Sequence, residues 1–393
     1  MRKAIKVRIY PEPEQVAFLN RQFGAVRYVW NKALWAKRHA WRTHGLSLSP
    51  KHDLKPLLAA AKKTERRAWL KDVDSIALQQ SLINLDRAFS NFFNPKLKAK
   101  FPRFKSRRSE QSSYHCMNVD VGPDWIKIPK IGRMPAVVHR EMSGKLRSIT
   151  VTRSATGKYF AALLFDDGEA LPDKPLSLDE DRIVGVDVGI KEIAIQSDGK
   201  RTPNPRILIN AAHNLRRKQK SLSRKRKGSA NRNKARRMVA AVHERIANKR
   251  NDFQHKLSRA LIDDNQAVCI ETLKVKNMIK NRKLVKHIAD AAWGGLTIKL
   301  GYKAEWAGKY LARIDQWLPS SKSCHDCGWI HDDLSLEDRF WRCLGCDTIR
   351  DRDLNAAQNI KREGIRHLLA TTAGLVVAAC RGLRKTGTLP AAA

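Results

Sequence analysis

The 393-residue sequence predicts a multidomain α+β chain. A small β-barrel or sandwich with a helical insert comes first, and a covered, largely parallel or mixed sheet with an inserted zinc ribbon follows. Three observations predict this. Short alternating strands lie at residues 1–10 and again between 101 and 167. Two apolar runs, IVGVDVGI and AVCIE, each contain an acid. Four cysteines form a double C-x2-C array.

Residues 1–10 alternate through Ile5, Val7 and Ile9 as a half-buried strand does, and Pro11 and Pro13 then introduce a long helix from Gln15 to His39. A second helix, from about Asp74 to Phe93, carries Ile76, Leu78, Leu82, Leu85, Ala88, Phe89 and Phe92 at helical spacing. Residues 11–95 therefore read as a helical insert between residues 1–10 and 96–168. In the latter stretch WIKIPKI, RSITVTRS and KYFAALLF are strands separated by Gly and Pro, at a spacing that suits a barrel or sandwich.

At the start of that strand region, FPRFKSRR interleaves Phe101 and Phe104 with Arg103, Lys105, Arg107 and Arg108. Such a segment can stack bases and hold phosphates. Phenylalanines in the barrel core with a solvated cationic rim account for it equally well. The Pro-rich, acidic stretch 169–181 is unlike either neighbour and marks a linker.

The second sheet occupies 182–319 and 349–368. Ile183, Val184, Val186, Val188 and Ile190 describe a strand buried on both faces. Asp187 in its midst is the oddity, because a lone buried carboxylate costs several kcal/mol, roughly, unless something cationic compensates. Glu271 ends the short strand Ala267, Val268, Cys269 and Ile270, where open α/β sheets place their sites. Between them, residues 210–261 form a basic helical hairpin broken at Gly228 and Ser229. Arg216, Arg217, Lys218, Lys220, Arg224, Lys225, Arg226, Lys227, Arg232, Lys234, Arg236 and Arg237 occur there with no acid among them. A solvated face would mix signs, so phosphate contact is the expected use.

After Glu271 comes another basic segment, a mobile lid or a plain surface loop, and then a helix with Leu296, Ile298, Leu300, Tyr302 and Trp306. The stretch Tyr310 to Trp317 is a further candidate strand. The ribbon, 320–348, holds Cys324, Cys327, Cys343 and Cys346 as C-x2-C-x15-C-x2-C, the spacing of a structural zinc site with four thiolates and no open position. His325, Asp326 and His331 are then neighbours of the metal and not its ligands. Cys116, Cys269 and Cys380 have no partner pattern and read as free buried thiols. Asp353 opens a helix whose apolar face runs through Ala356, Ala357 and Ile360, and residues 369–393 have little to anchor them, so a mobile tail is expected.

Two strand acids and one on a later helix can hold two Mg²⁺ ions about 3.5 to 4 Å apart around a scissile phosphate, which points to a metal-dependent nuclease. Taken singly, Glu271 could instead pair with Lys274, and either Asp351 or Asp353 could be a helix N-cap. Composition supplies the partner. A net charge of +39 would self-repel without a polyanion, so nucleic acid is the expected ligand. The chain carries no secretory signal pattern and no apolar stretch long enough for a membrane span, so a soluble, cytoplasmic, nucleoid-associated protein is expected.

The motifs GVDVGI, IETL, SSKSCHDCG, WRCLGC and DRDLNAAQNI, with KVRIYPEPEQ, RYVWNKAL and FPRFKSRR in the first half, resemble those of TnpB proteins, the insertion-sequence-encoded relatives of type V CRISPR nucleases. The resemblance covers nearly the whole chain. It implies a wedge-type β-barrel with a helical recognition insert, then a RuvC-like nuclease domain of RNase H architecture interrupted by a zinc ribbon. It further implies that Asp187, Glu271 and Asp353 are the metal-binding catalytic triad, with Asp353 favoured over Asp351. A guide RNA from the end of the transposable element, pairing with double-stranded DNA beside a short motif, also follows from it. Base pairing would then carry sequence while the protein reads shape and backbone. A guide-independent strand-transfer enzyme and a non-cutting RNA-guided regulator are the alternatives.

Overall fold

The computed structural model describes residues 1–106, 112–282, 284–335 and 337–378. Arg107, Arg108, Cys380 and the expected mobile tail from residue 379 on lie outside the described residues. The chain divides into two compact units, Met1–Ala170 and Leu171–Ala393.

In the first unit β1 (Arg2–Ile9) leads into α1 (Pro13–His44), which is longer than the sequence predicts at its C-terminal end. A capping box between Glu12 and Gln15 and a proline in the first turn start this helix, and Gly45, at φ 65°, ends it. Leu19, Phe23, Val26, Trp30 and Ala33 give it one buried stripe. Two further helices follow, α2 (Lys55–Lys63) and α3 (Ser75–Phe93). The Asp74 carboxylate caps α3 by accepting from the Ile76 amide.

The remaining strands are β2 (Ser112–Cys116), β3 (Asp120–Val121), β4 (Trp125–Ile128), β5 (Gly132–Val137), β6 (Lys145–Arg153) and β7 (Tyr159–Asp166). They form one antiparallel sheet with β1, in the order β2-β6-β7-β1-β5-β4-β3. Among the described residues no pairing joins β2 to β3, so the sheet is open where a closed barrel was expected. The reason lies in the helices. Leu19, Phe23, Leu78 and Leu82 share one core with Val7, Ile9, Tyr114, Ile149 and Leu163, so the apolar face is covered without the sheet curling on itself.

The second unit begins with β8 (Ser177–Asp179), β9 (Ile183–Asp187), β10 (Glu192–Gln196) and β11 (Arg201–Pro203). The basic hairpin is α4 (Ile207–Ser223) and α5 (Ala230–Asp264). Its turn falls where the sequence breaks: Gly228 takes φ 87°, and the Ser229 hydroxyl accepts from the Arg232 amide at the start of α5. Next come β12 (Ala267–Glu271), α6 (Val275–Met278), α7 (Val285–Ala291), α8 (Trp293–Trp306) and β13 (Tyr310–Ile314). A small hairpin of β14 (Phe340–Arg342) and β15 (Ile349–Asp351) precedes α9 (Arg352–Thr371) and β16 (Val376–Ala378).

Five strands form the main sheet of this unit in the order β11-β10-β9-β12-β13. The last three are parallel to one another, while β10 runs antiparallel to β9 and β11 antiparallel to β10. Both faces are covered, which is why β9 and β12 read as unbroken apolar runs. Val268 and Ile270 face α5 and α8 through Leu261, Ile262, Leu296 and Leu300. Ala267 and Cys269 face α9 through Ile360 and Leu368.

Two expectations need correction here. The supposed linker 169–181 contains β8, and the supposed tail from 369 contains the end of α9 and then β16, which pairs in parallel with β8. Leu178 and Leu375 are buried in the same core as Ile360, so these short segments finish the cover of the sheet. Three residues are too few to show a strand period in sequence. No helix of the described residues is long and apolar enough to cross a membrane.

Glycine sets the spacing between α9 and the sheet. A Cβ on Gly185 of β9 would lie 2.0 Å from the Ala357 carbonyl oxygen and 2.5 Å from the Lys361 nitrogen, and one on Gly364 would meet Cys269 Sγ at 2.2 Å. Gly185→Ala should therefore lower the melting temperature of this unit, by an overpacking penalty of about 1–3 kcal/mol or more, since backbone must move. Gly294→Ala, with nothing within 4 Å, should leave stability unchanged or slightly raised. Equal melting of the two variants would contradict the close packing.

Candidate nuclease and zinc sites

Three carboxylates converge at one end of the second unit's sheet. Asp187 closes β9 and Glu271 closes β12, and the parallel register sets Val186 against Ile270, so the two acids leave neighbouring strands at the same level. Asp353 stands in the first turn of α9, which packs on the same sheet. Burial, and then the nearby charges of Glu271 and Asp353, push the Asp187 carboxyl up to about 7. Glu271 and Asp353 are thus both near enough to Asp187 for their charges to act on it.

Each of the outer two acids has a partner. The Ser320 hydroxyl donates to Glu271, while Arg352 Nη2 lies 3.0 Å from Asp353. Lys274, the alternative partner for Glu271, instead stands 5.2 Å over the Trp317 ring. Hydrogen bonds distinguish the two aspartates at the helix start. Asp351 is the N-cap, accepting from the amides of Asp353 and Leu354 at 3.1 and 3.0 Å. Burial opposes its ionisation, but the Leu354 amide and the Arg201 guanidinium outweigh that and hold its carboxyl below the usual range. Asp353 is left to face the other acids. Three carboxylates are hard oxygen donors of the kind that hold Mg²⁺.

The four cysteines form the metal-ready cluster among the described residues, with all four Sγ atoms within 4.8 Å of one another. Cys324 and Cys346 sulfurs are 3.7 Å apart, Cys327 and Cys343 sulfurs 3.4 Å. A tetrahedron of Zn–S bonds of about 2.3 Å has edges near ~3.8 Å, so the geometry fits zinc and is far too wide for disulfides. The flanking residues are engaged elsewhere, as expected of non-ligands. His325 meets Asn359 at 3.3 Å, Asp326 pairs with Arg350, and His331 packs on Trp329 and Trp341.

Several contacts that the sequence did not single out join the ribbon to α9. Asn355 and Asn359 donate to the carbonyls of Ser320 and Ser323, and Asn355 accepts from the His325 amide. The available signal was the i, i+4 pair of asparagines on a helix face otherwise apolar. Arg201 adds a second tie, reaching Glu192 at 2.7 Å and Asp351 at 3.0 Å.

The expected nucleic-acid contacts fall in both units. In the second unit Arg216, Arg217, Arg224, Lys225 and Arg226 are exposed and Lys218 half-buried. Arg232 is used by the fold itself, donating to the Leu222 and Lys225 carbonyls to close the turn. At the end of the segment after Glu271, the buried Asp290 accepts from the Leu208 and Ile209 amides at the start of α4. In the first unit, segment 101–105 is strapped to α1. Trp30 donates to the Arg103 carbonyl, and Asn31 exchanges two bonds with the Lys105 backbone. Phe101 and Phe104 are exposed and lie outside the sheet core. Phe101 meets Phe89 and Phe92 edge-on, Arg38 stands beside Phe101 and Phe104, and the Lys105 ammonium sits 3.8 Å over Trp30.

The fold and these sites define a protein of the mixed-sheet, three-carboxylate class with a four-cysteine ribbon inserted before its last helix. Residues 171–282 match the family model described as "Probable transposase", 293–360 the "Cas12f1-like, TNB domain", and 1–45 a "Helix-turn-helix domain". In this structure residues 1–45 form β1 and one unbroken helix. The chain is 40% identical over 371 residues to the "Putative RNA-guided DNA endonuclease" of Streptomyces pristinaespiralis, covering 93% of this chain and 90% of that one. It is 30% identical over 379 residues to the "Putative RNA-guided DNA endonuclease InsQ" of Escherichia coli K12, covering 92% of each. A solved Cas12f1–sgRNA–target DNA complex aligns over 92% of this chain and 99% of that one at 16% identity and TM-score 0.37, a superposition too loose to place residues. The chain belongs to the TnpB family.

Metal analysis of the purified protein should give one zinc per chain. Cys343→Ser, which removes a buried ligand, should abolish the zinc and open the ribbon to protease between residues 320 and 348. Zinc retained at full stoichiometry in that variant would refute the four-thiolate site.

Proposed function

We propose that this protein is an RNA-guided, Mg²⁺-dependent DNA endonuclease of a transposable element, cutting target DNA beside a short motif. The observation that carries the reading is the meeting of Asp187, Glu271 and Asp353 at one sheet end, in a chain 40% identical to a protein named for that activity. The order β11-β10-β9-β12-β13, with its first three strands antiparallel and its last two parallel to β9, supports a RuvC-like domain of RNase H architecture in residues 182–319 and 349–368. Residues 320–348 are its zinc ribbon. Residues 1–10 and 96–168 would be the wedge and 11–95 the recognition insert.

Asp187, Glu271 and Asp353 would hold two Mg²⁺ ions, which when bound would supply Lewis acidity to the scissile phosphate and an activated water. The protein's own part is placement. Strand ends fix Asp187 and Glu271, and Asp351, by capping α9, frees the Asp353 carboxylate to face them. Burial, and then the charges of Glu271 and Asp353, disfavour ionised Asp187, and bound cations would offset that penalty. The hairpin cations hold phosphates of the guide RNA or of its duplex with DNA, and the Phe101–Phe104 strap offers aromatic faces to unpaired bases.

The test is to purify the protein through a high-salt wash, sequence the RNA it retains, and offer plasmid DNA matching the variable end of that RNA. Guided cutting is expected. Cutting that persists in RNA-free protein would overturn the reading in favour of a guide-independent enzyme.

Asp187→Asn should reduce guided cleavage by at least about 10²-fold, the scale of losing one charged group at a reacting centre. The same variant should unfold at higher temperature than wild type in metal-free buffer above neutral pH. Its advantage follows from the sign of the shift. The folded carboxyl, at about 7 against the 3.8 ordinary for aspartate, binds its proton more tightly than the unfolded one. Wild-type stability is therefore fullest below the unfolded value and is lost as pH rises through the folded one. The two melting curves should converge in acid, and a constant gap would contradict the assignment.

Replacing Arg224, Lys225 and Arg226 together by alanine should make the salt dependence of RNA binding shallower by about 2 in log–log slope, at ~0.7 per lost single-strand phosphate contact. An unchanged slope would place the phosphate contacts elsewhere.

A further inference from the structure

We propose that Ser320 is a positioning residue that aims the Glu271 carboxylate, and that its own position is imposed by the asparagine face of α9. The inference rests on the reading of Asp187, Glu271 and Asp353 as the ion-holding set.

Ser320 is the first residue of the ribbon and is 6% exposed. Its hydroxyl donates to Glu271 Oε1. A serine has one hydroxyl proton to give, and giving it to one carboxylate oxygen fixes the torsion of that carboxylate and so the direction of its other oxygen. Carboxylates that ligate metals gain geometry and affinity from such outer hydrogen bonds.

A hydroxyl can aim a carboxylate only if it is itself held. The Ser320 carbonyl accepts from Asn359 Nδ2 at 2.8 Å and from Asn355 Nδ2 at 3.4 Å, and the Ser320 amide donates to the Leu318 carbonyl at 2.8 Å. Three residues on, the Ser323 carbonyl accepts from the same two amides at 2.7 and 2.6 Å. Asn355 and Asn359 are 1% and 3% exposed, and their oxygens are used as well. Asn355 Oδ1 accepts from the His325 amide at 2.9 Å and Asn359 Oδ1 from Arg362 Nη2 at 2.9 Å. Buried amides satisfied at both ends cannot rotate without stranding a polar group. Helix α9 thus carries Asp353 in its first turn and, through Asn355 and Asn359 further along, fixes the serine that orients Glu271.

The test uses the full-length protein with its guide RNA. Mn²⁺ binding is followed by paramagnetic resonance, alongside guided cleavage against Mg²⁺, zinc content and target binding without cutting. Ser320→Ala should keep zinc and target binding while weakening Mn²⁺ affinity and cleavage by about 10–100-fold, the range for loss of a ligand's supporting hydrogen bond. Should that variant lose zinc, the pair Ser320→Thr and Ser320→Val, alike in shape and differing in the hydroxyl, carries the test. The threonine form should bind Mn²⁺ at least about tenfold more tightly than the valine form. Wild-type Mn²⁺ affinity and cutting in Ser320→Ala, or equal behaviour of the Thr and Val forms, would overturn the inference. Asp187→Ala separates the two levels. Full cutting by that variant sinks the ion-holding reading itself, whereas an inactive Asp187→Ala beside a wild-type-like Ser320→Ala sinks only the role of Ser320.

Discussion

The backbone of α9 lies so close to β9 that the Cα hydrogens of Gly185 face the Ala357 carbonyl, and much of the second unit depends on that approach. No side chain fits in the gap. The helix is thereby set at a fixed depth over the parallel strands, with Ile360 and Leu368 sealing the same face as Cys269 and Ala312. Because interiors are close-packed, a shift of this helix would be felt along its whole length. Its first turn delivers Asp353 to the strand ends, and its next two turns hold the start of the ribbon.

Charge is distributed in this unit with a clear division. Basic side chains crowd the α4–α5 hairpin, whose tip from Arg224 to Lys227 is exposed, while Asp187, Glu271 and Asp353 are gathered at one sheet end. Burial, and then the charges of Glu271 and Asp353, raise the Asp187 pKa there. Folding tolerates the conflict because the strands and α9 are fixed by apolar packing that the acids do not supply. Local cost at a site built on a rigid scaffold is the usual mark of a functional constellation.

The ribbon has little apolar core of its own, with Leu334, Trp341, Cys324 and Cys343 buried and Trp329 against them. Four thiolates at zinc spacing substitute for one. Ion pairs and hydrogen bonds hold it in place: Arg350, just beyond it, with Asp326 inside it, Arg339 and Arg201 with Asp351 at its far end, and the two asparagines at its near end. The ribbon is thus clamped at both junctions to the elements that carry Glu271 and Asp353.

Much of this was legible in the amino-acid sequence. The apolar runs around Asp187 and before Glu271 require a sheet covered on both faces, the cysteine spacing requires a four-thiolate cluster, and Gly228 with Ser229 marks the hairpin turn. These are local or periodic signals, readable because strand, helix and metal geometry repeat at fixed intervals. The open sheet of the first unit was not legible, because closure depends on whether helices cover the apolar face. Nor was the pairing of residues 177–179 with 376–378, where three-residue strands carry no period. Asp351 and Asp353 are equivalent as residue types at a helix start, and only the hydrogen bonds to the Asp353 and Leu354 amides separate cap from site. Ser320 beside Glu271, and Asn355 and Asn359 beneath Ser320, are contacts across dozens of residues between common polar side chains. The sequence by itself determined which chemistry the chain can perform, since ligand types and strand burial are written locally. Which groups hold the three carboxylates in place was decided only by the tertiary structure, because an orienting hydrogen bond exists only once distant backbone has been brought within its reach.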